Sequence, residues 1–585
     1  MDIFSILSLF GGLALFLFGM DYMGDSLKKL SGGQLEAILG KLTSNRIKGF
    51  FLGFLVTAVI QSSSATTVML VGFVNSGIMT LSQSIAIIMG ANVGTTVTSW
   101  LLSTTGISGS VEWLKLLKPE SFTPVLAVIG ILMTMICKSE KKRNVGSILL
   151  GFTILMFGMS AMSDAMSGLK DNEAFAKILV MFENPILGIL CGTILTAIIQ
   201  SSSASIGILQ ALSLTGAIPM AIALPVILGQ NIGTTITPIL SAISGNKDSK
   251  RVAISCLYIK MIGVIIISVA FYLLHSVLDF TFMHQQATVF SIAIVHTAFN
   301  VLSTVILLPF CKFIEKLAMI TIKSDEAVEE TDDTLRLLDD RFLSIPSFAI
   351  EKSKDIIVDM IKLAGESVFT ILDKLFDYDD NTASTIKKQE ETVDIYEDKL
   401  GSYLVKLAGH KLAENEANNV TSLLHIIGDV ERISDHACNL LDTSKEIFTK
   451  KISFSTRARE EIKVVSEAIK EIVDISIKAV ETNDKNIAMK IEPLEQVIDN
   501  LKYRMKSKHI ERLQNNECTI ELGFVYSDII TNFERIADHC SNIGVSVLQR
   551  EQSGFEPHDY LSHVKNEGEN NFINQYDEFK NKYVI

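Results

Sequence analysis

The sequence predicts an all-α protein in two parts. The first is a polytopic membrane domain of two inverted repeats, each containing a re-entrant hairpin. The second is a cytoplasmic helical bundle domain of two three-helix units. Three observations lead there. Residues 1 to about 322 carry long apolar stretches, whereas those from about 325 onward are charged and amphipathic. A polar run inside apolar sequence, Gln61-Ser62-Ser63-Ser64-Ala65-Thr66, returns as Gln200-Ser201-Ser202-Ser203-Ala204-Ser205. In the charged part apolar residues recur at helical spacing, and no strand-like alternation stands out.

Composition sets the bounds. At 585 residues the chain is too long for one ordinary domain. Mean hydropathy is +0.35, an average that conceals the split. The net charge of −13 belongs to the second part, and the absence of a basic block argues against nucleic acid as a partner. Seven scattered cysteines without a CxxC pair are expected to be free, buried thiols. The start, Met1-Asp2, has no basic n-region, so residues 4–24 read as a retained membrane helix and not a cleaved signal peptide.

Seven segments are read as crossings: 4–24, 83–100, 122–137, 144–163, 220–240, 252–275 and 289–310. A bilayer span needs about twenty apolar residues. The segments that carry the serine runs differ. Residues 47–60 and 65–77 are short arms on either side of Gln61–Ser64, and about fourteen residues at 1.5 Å each reach only about 20 Å. Residues 183–200 and 204–216 repeat the pattern. Such arms suit a hairpin that enters and leaves on one side with its polar tip at mid-depth. The alternative, full crossings, makes the repeats parallel and places basic loops on both sides.

Charge favours the hairpins. With an outside N-terminus, Lys28, Lys29, Lys41, Arg46 and Lys48 fall inside, as do Lys138, Lys141, Lys142 and Arg143, and Lys247, Lys250 and Arg251. The outer loops hold Glu112 and Glu120 offset by Lys115 and Lys118, then Asp164, Asp171, Glu173 and Glu183, then Asp279. That is the positive-inside pattern. The first half then has an odd number of crossings, which inverts the second.

Gln61 and Gln200 are 139 positions apart. The same offset relates Phe18-Gly19-Met20 to Phe157-Gly158-Met159, Asp25 to Asp164, Gly53 to Gly192 and Gly77 to Gly216. It also relates Gly90-Ala91-Asn92-Val93-Gly94-Thr95-Thr96 to Gly229-Gln230-Asn231-Ile232-Gly233-Thr234-Thr235. A register shared by two polar motifs is the signature of a transporter built from two halves. Unsatisfied polar groups in hydrocarbon cost roughly several kcal/mol each, so a duplicated cluster marks a paired site. Close helix packing through small polar residues explains one serine run well, and explains a doubled pair of motifs poorly.

Serines ahead of a helix cap it, and the free N–H groups and dipole at that end favour an anion. Hydroxyls and the Gln61 and Gln200 amides suit an oxyanion or a cation. Gly94 and Gly233 are expected to allow local unwinding that offers carbonyls to a hard cation such as Na+. No acidic residue is near either motif in the sequence, which favours sodium over proton coupling. Lys260, inside a predicted crossing, either faces the pathway, snorkels or packs. His275, His284 and His296 read as interfacial or core.

On its two intact Gln-Ser-Ser-Ser runs, the stretch of residues 1–320 resembles the type II sodium–phosphate cotransporter family, whose hallmark is that motif in each inverted repeat. The resemblance implies inorganic phosphate as substrate and Na+ as coupling ion, held by Gln61, Ser62, Ser63, Ser64 and Thr66 with Gln200, Ser201, Ser202, Ser203 and Ser205. Asn92, Thr95 and Thr96, with Asn231, Thr234 and Thr235, match the family's second repeated element. An anion follows from the hairpin physics; phosphate follows from the resemblance. The domains are then 1–322 for transport, with repeat 1 about 1–138 and repeat 2 about 139–310, and a linker at 323–344.

Helical periodicity covers 345–378, 384–409, 413–447, 455–483, 487–514 and 518–549. Glu431-Arg432-Ile433-Ser434-Asp435-His436 returns as Glu534-Arg535-Ile536-Ala537-Asp538-His539, and Glu390 with Asp394 resembles Glu495 with Asp499. Each carboxylate pair is i, i+4 on one helix face. Facing pairs collect a metal; a solvated face with Arg432 and Arg535 in ion pairs accounts for the same residues. Residues 345–549 resemble the PhoU-like regulatory domain, a pair of three-helix bundles with a repeated E-x-x-x-D motif. That resemblance implies Glu431, Asp435, Glu534 and Asp538 as ligands of a divalent ion or iron cluster. Residues 550–585 read as a polar C-terminal tail, either loose or a partly docked helix.

The sequence therefore reads as a secondary active transporter for Na+-coupled uptake of phosphate by alternating access. It is a multi-pass protein of the plasma (inner) membrane among lipid, with the N-terminus outside and the helical domain cytoplasmic and regulatory. Another small anion, carboxylate or sulfate, and a membrane-tethered phosphate-status sensor are the alternatives; a regulatory protein partner or a homo-oligomer stays open. The absence of GxxxxGK[ST], of HExxH and of any recognisable nucleophile–base spacing speaks against an enzyme.

Overall fold

The structure, a computed structural model, describes residues 3–31, 45–106, 119–167, 181–323, 334–515, 517–549 and 569–585. Lys41, Glu112, Lys115, Lys118, Asp171 and Glu173 from the charge reading lie outside these, as do the side chain of Glu120, residues 324–333 of the linker and residues 550–568 of the tail. The chain divides into two compact units, Met1–Glu330 and Thr331–Ile585. Among the described residues every regular element is a helix, and the one β-bridge joins Pro219 to Gln286.

The first unit begins with α1 (Ile3–Ser31), then α2 (Arg46–Ile60), α3 (Ser63–Asn75), α4 (Leu81–Gly94), α5 (Thr96–Ser103) and α6 (Pro119–Ile136). The series starts again with α7 (Glu140–Met166), α8 (Pro185–Ile199), α9 (Ser202–Leu214), α10 (Met220–Gly233), α11 (Ile236–Ala242) and α12 (Lys247–Leu278), followed by α13 (Val289–Leu307) and α14 (Cys311–Thr321). Local signals set these ends. Asn45 and Asn184 cap α2 and α8, and Pro185 opens α8 where a missing N–H costs nothing. Thr80 and Gln83 form a capping box at α4. Gly77 and Gly216, a register pair, take φ of 75° and 67° after α3 and α9, a conformation glycine adopts freely.

The inversion of the repeats is visible where α1 crosses α7. A Cβ built on Gly12 would lie 3.0 Å from the carbonyl oxygen of Gly158, and one on Gly19 2.7 Å from that of Gly151. The 139-residue register pairs Gly12 with Gly151 and Gly19 with Gly158. Each glycine therefore meets the counterpart of the other, which only antiparallel equivalents about a pseudo-two-fold axis can do. Phe16, Leu155, Met159 and Met162 pack around this crossing.

Among the described residues six helices are long and apolar enough to cross a membrane: Phe4–Leu30, Leu81–Gly106, Glu140–Met166, Met220–Ala242, Lys247–Leu278 and Val289–Thr321. The seventh predicted crossing, 122–137, is α6, whose apolar part Ser121–Ile136 is shorter than these. The arms α2, α3, α8 and α9 have 15, 13, 15 and 13 residues, about 20 Å each and short of a ~30 Å hydrocarbon core.

In the second unit the six periodic segments are helices: α15 (Pro346–Lys374), α16 (Asp380–Ala408), α17 (Glu414–Lys450), α18 (Thr456–Thr482), α19 (Ile491–Gln514) and α20 (Ile520–Gln549). Ile356, Met360, Ala364, Val368 and Ile371 show the apolar stripe that binds α15 into its bundle; all are buried. The end of the predicted polar tail is also helical, α21 (Glu569–Lys582). Phe579 and Tyr583 give it a buried face, and Lys582 and Tyr583 hold Glu471 at 2.8 and 2.6 Å.

Candidate functional site

Two helix breaks make the site. Gln61 and Gln200 take φ of 60° and 59°, left-handed and non-glycine, and their N–H groups donate to Thr57 O and Thr196 O, ending α2 and α8. Ser62 and Ser201 then turn the chain into α3 and α9, each hydroxyl accepting from a backbone N–H, of Ala65 and Ala204, at 3.2 Å. The serines expected as caps are thus Ser62 and Ser201. The arms are clipped together behind the turn, Thr57 to Thr66 at 3.0 Å and Thr196 to Ser205 at 2.8 Å.

Both tips open on one cavity of about 370 Å3, lined by Gln61, Ser62, Ser63 and Ser64 from one repeat and Gln200, Ser201, Ser202 and Ser203 from the other. The same cavity is bounded by Leu17, Met20, Asp21, Gly24, Asp25 and Lys28 of α1. This corrects the expectation that no carboxylate is near the serine runs. Helix packing carries Asp21 and Asp25 there from about forty residues upstream, a proximity that spacing does not encode. Lys28 pairs with Asp25 at 3.8 Å. The only signal in the sequence was the charge itself, embedded in an apolar helix, with Asp25 already inside the repeat register.

The second motif does not line this cavity; the residues just past it reach the tips. Thr98, two residues past Thr96, donates to Gln61 Oε1 at 2.8 Å, and its register mate Thr237 reaches Gln200 O at 3.5 Å. Thr95, Thr96, Thr234 and Thr235 each donate to a carbonyl of the preceding turn. A hydroxyl that gives up its proton in this way keeps its lone pairs for a cation. Gly94 and Gly233 do end α4 and α10, but Thr95 and Thr234 stay right-handed. The glycines serve close crossings: a Cβ on Gly94 would lie 2.7 Å from Phe54 O, and one on Gly233 2.5 Å from Thr193 O. The helices are thus interrupted at Thr95 and at Thr234–Thr235, as expected, and the glycines in addition admit close neighbours.

Lys260 neither snorkels nor reaches the cavity. It is 5% exposed, and its Nζ donates to Asn231 Oδ1 at 2.9 Å and Asn300 Oδ1 at 3.0 Å. His296 is buried and stands 3.4 Å from Ser99 Oγ; His275 accepts from Phe280 N, and His284 lies 3.5 Å from Asp279.

In the second unit, Glu390, Asp394 and Asp435 bring three carboxylate oxygens within 4.8 Å of one another, a set able to hold a hard cation. Of the four predicted ligands only Asp435 belongs to it. Glu431 and Asp435 lie 3.4 and 3.6 Å from Arg432, Asp538 lies 3.7 Å from Arg535, and Lys502 bonds Glu534. Burial and then neighbouring carboxylates raise the pKa values of Glu390, Asp394 and Glu431 above the ordinary carboxylate range, making them weaker acids.

Comparison with known proteins follows this division. The Na+/Pi-cotransporter family model matches twice, at residues 15–164 and 154–304, and the PhoU domain model at 357–443 and 462–547. The chain is 22% identical over 552 residues to "Putative inorganic phosphate export protein YjbB" of Escherichia coli (strain K12), covering 93% of this chain and 98% of that one. It is 31% identical over 253 residues to "Uncharacterized protein YqeW" of Bacillus subtilis, 43% of this chain and 78% of that one. It is 38% identical over 96 residues to sodium-dependent phosphate transport protein 2A of Rattus norvegicus, 16% and 15% of the two chains. A solved PhoU from Pseudomonas aeruginosa aligns with TM-score 0.33 and 17% identity over 34% of this chain and 95% of that one. The chain belongs to the Na+/Pi-cotransporter family, with two copies of that family's domain followed by two PhoU domains.

Proposed function

We propose that the protein is a secondary transporter of inorganic phosphate coupled to Na+, working by alternating access of its two repeats around the shared cavity. One observation carries the reading: two symmetry-related Gln-Ser-Ser-Ser tips, each at a helix N-terminus, converge on a single cavity. N–H groups and serine hydroxyls of Ser63, Ser64, Ser202 and Ser203 suit an oxyanion's acceptors, and Lys28 adds positive charge. Asp21 and Asp25 supply carboxylate oxygens for Na+ in the cavity. A cavity of about 370 Å3, room for roughly a dozen waters, accommodates an oxyanion and cations together, each offsetting the other's desolvation. With the N-terminus outside, the cavity runs along α1 toward the cytoplasmic end at Lys28, and the short arms α2–α3 and α8–α9 act as re-entrant hairpins. The PhoU domains then lie in the cytoplasm and regulate flux, with a divalent ion held by Glu390, Asp394 and Asp435.

Full-length protein in liposomes tests this. Phosphate flux is expected with an imposed Na+ gradient and lost when K+ replaces Na+. Ser63→Ala or Ser202→Ala should abolish it; flux that persists with both tips altered rejects the site. Competition by sulfate or carboxylates would name a different anion, and no flux at any gradient would make the protein a sensor. A second reading, export, draws on the name of YjbB, which matches 93% of this chain. Imposing the gradient in each direction, with the orientation of the protein in the bilayer known, separates export from uptake.

A further inference from the structure

Lys260 is a buried cation that the proposed transport path does not use. Its setting is built. Asn231 donates its Nδ2 to Ile227 O at 2.9 Å, and Asn300 donates its Nδ2 to His296 O at 2.8 Å, one turn back in each helix. With both amide N–H groups engaged, both Oδ1 atoms turn to a common point, and Nζ of Lys260 sits at that point. Two pre-oriented neutral oxygens from α10 and α13 are a ligand arrangement for a hard cation. Asn231 belongs to the second Asn-x-Gly-Thr-Thr copy, beside the hydroxyls of Thr234 and Thr235.

Among the described residues no carboxylate pairs with Lys260, and burying an uncompensated charge is costly. The two repeats also differ here. The 139-residue offset takes Asn231 to Asn92 and, continued past the last matched pair, takes Lys260 to Ser121, an exposed residue in the first turn of α6. The first repeat has the amide without the ammonium.

We infer that Lys260 is a tethered cation, its ammonium taking in the second repeat the place of a mobile Na+. This rests on the transport reading above. It makes the halves chemically unequal: a mobile cation serves the first repeat and a covalently attached one the second. A positive charge held within the first unit by Asn231 and Asn300 also lowers the cost of admitting an anion there.

The test uses full-length protein and two readouts, of which the first needs no transport. Melting temperature is measured in Na+ against choline at equal ionic strength, without phosphate. Lys260→Ala leaves the two oxygens facing a vacated space, so it should gain a Na+-specific rise in melting temperature beyond that of the unaltered protein, whereas Lys260→Arg should not. In liposomes the Hill coefficient for Na+ in phosphate flux should rise by about one in Lys260→Ala. Lys260→Gln keeps the donors and drops the charge; it should weaken half-saturation by phosphate about tenfold or more. An alanine variant with no added Na+ response, or a glutamine variant with unaltered phosphate dependence, overturns the inference. Absence of phosphate flux in the unaltered protein would instead overturn the transport reading, and the melting measurement would still decide the role of Lys260.

Discussion

Gln61 and Gln200 end their helices in the left-handed region, where a side chain costs roughly 1 kcal/mol that glycine does not incur. Glycine is the usual residue at such a cap, so glutamine in both repeats trades stability for an amide at the tip. The sequence showed the break, through polar residues within apolar arms, but not its handedness. Gln61→Gly relieves roughly 1 kcal/mol of backbone strain but leaves the buried Thr98 hydroxyl without its acceptor at a cost of about 1–3 kcal/mol, so stability is expected to change little or fall while phosphate flux falls at least about tenfold. Thermal melting and flux on the same preparation check it; a glycine variant that transports normally would make the amide dispensable. In the PhoU region Glu495 matches Glu390 in the second copy of the repeated carboxylate pair. Burial, then Glu492, Asp538 and Asp499, push its carboxyl up to about 8, against Lys502. A raised acid favours the folded state when protonated. Its contribution is therefore complete below the ordinary value of 4.5 and lost as pH rises through about 8. With chelator present, Glu495→Gln should leave melting near pH 5 unchanged and stabilise the protein at pH 9 by roughly a few kcal/mol.

Helix α1 shows what element-level reading could and could not recover. Its span and its register with α7 were legible, because apolar length and a constant offset are sequence properties. Its place beside the tips was not, because that depends on which helix it crosses. The interruptions after Gly94 and Gly233 are legible, but their second use is not: a glycine that frees the backbone and one that admits a neighbouring helix look alike in sequence. The short α6 blurred the crossing count, since apolar composition alone does not fix length. The crossing of α1 and α7 yields the matching prediction. A Cβ on Gly19 would lie 2.3 Å from Leu155 N and one on Gly158 2.3 Å from Phe16 N. Gly19→Ala or Gly158→Ala should each cost about 1–3 kcal/mol by prising the helices apart. The double variant should cost less than the sum, because one displacement of the shared interface relieves both. Melting in detergent measures all three, and strict additivity would deny that the glycines meet across a common axis.

At the scale of the molecule, the two compact units each bury their own core, around Phe16 and Met159 in one and Ile356 and Val368 in the other. Every side chain lining the cavity, and Lys260 with its two asparagines, lies in the first unit. Transport should therefore be a property of that unit alone. A chain ending at residue 323 is expected to fold, as judged by a single monodisperse species, and to keep Na+-dependent phosphate flux. What it should lose is control. If the second unit regulates flux through phosphate binding, its removal changes the affinity for phosphate, and typical couplings of about 1–3 kcal/mol correspond to roughly 5- to 150-fold. Half-saturating phosphate is thus expected to shift at least about fivefold on truncation. Linkage also demands the reverse: phosphate at the tips must alter the second unit's own equilibrium by the same factor. Hydrogen exchange of residues 334–585 in the full chain, with and without phosphate in the presence of Na+, reads that reciprocal effect. A truncated protein with unchanged phosphate dependence, together with exchange indifferent to phosphate, would leave the PhoU domains energetically uncoupled from the carrier.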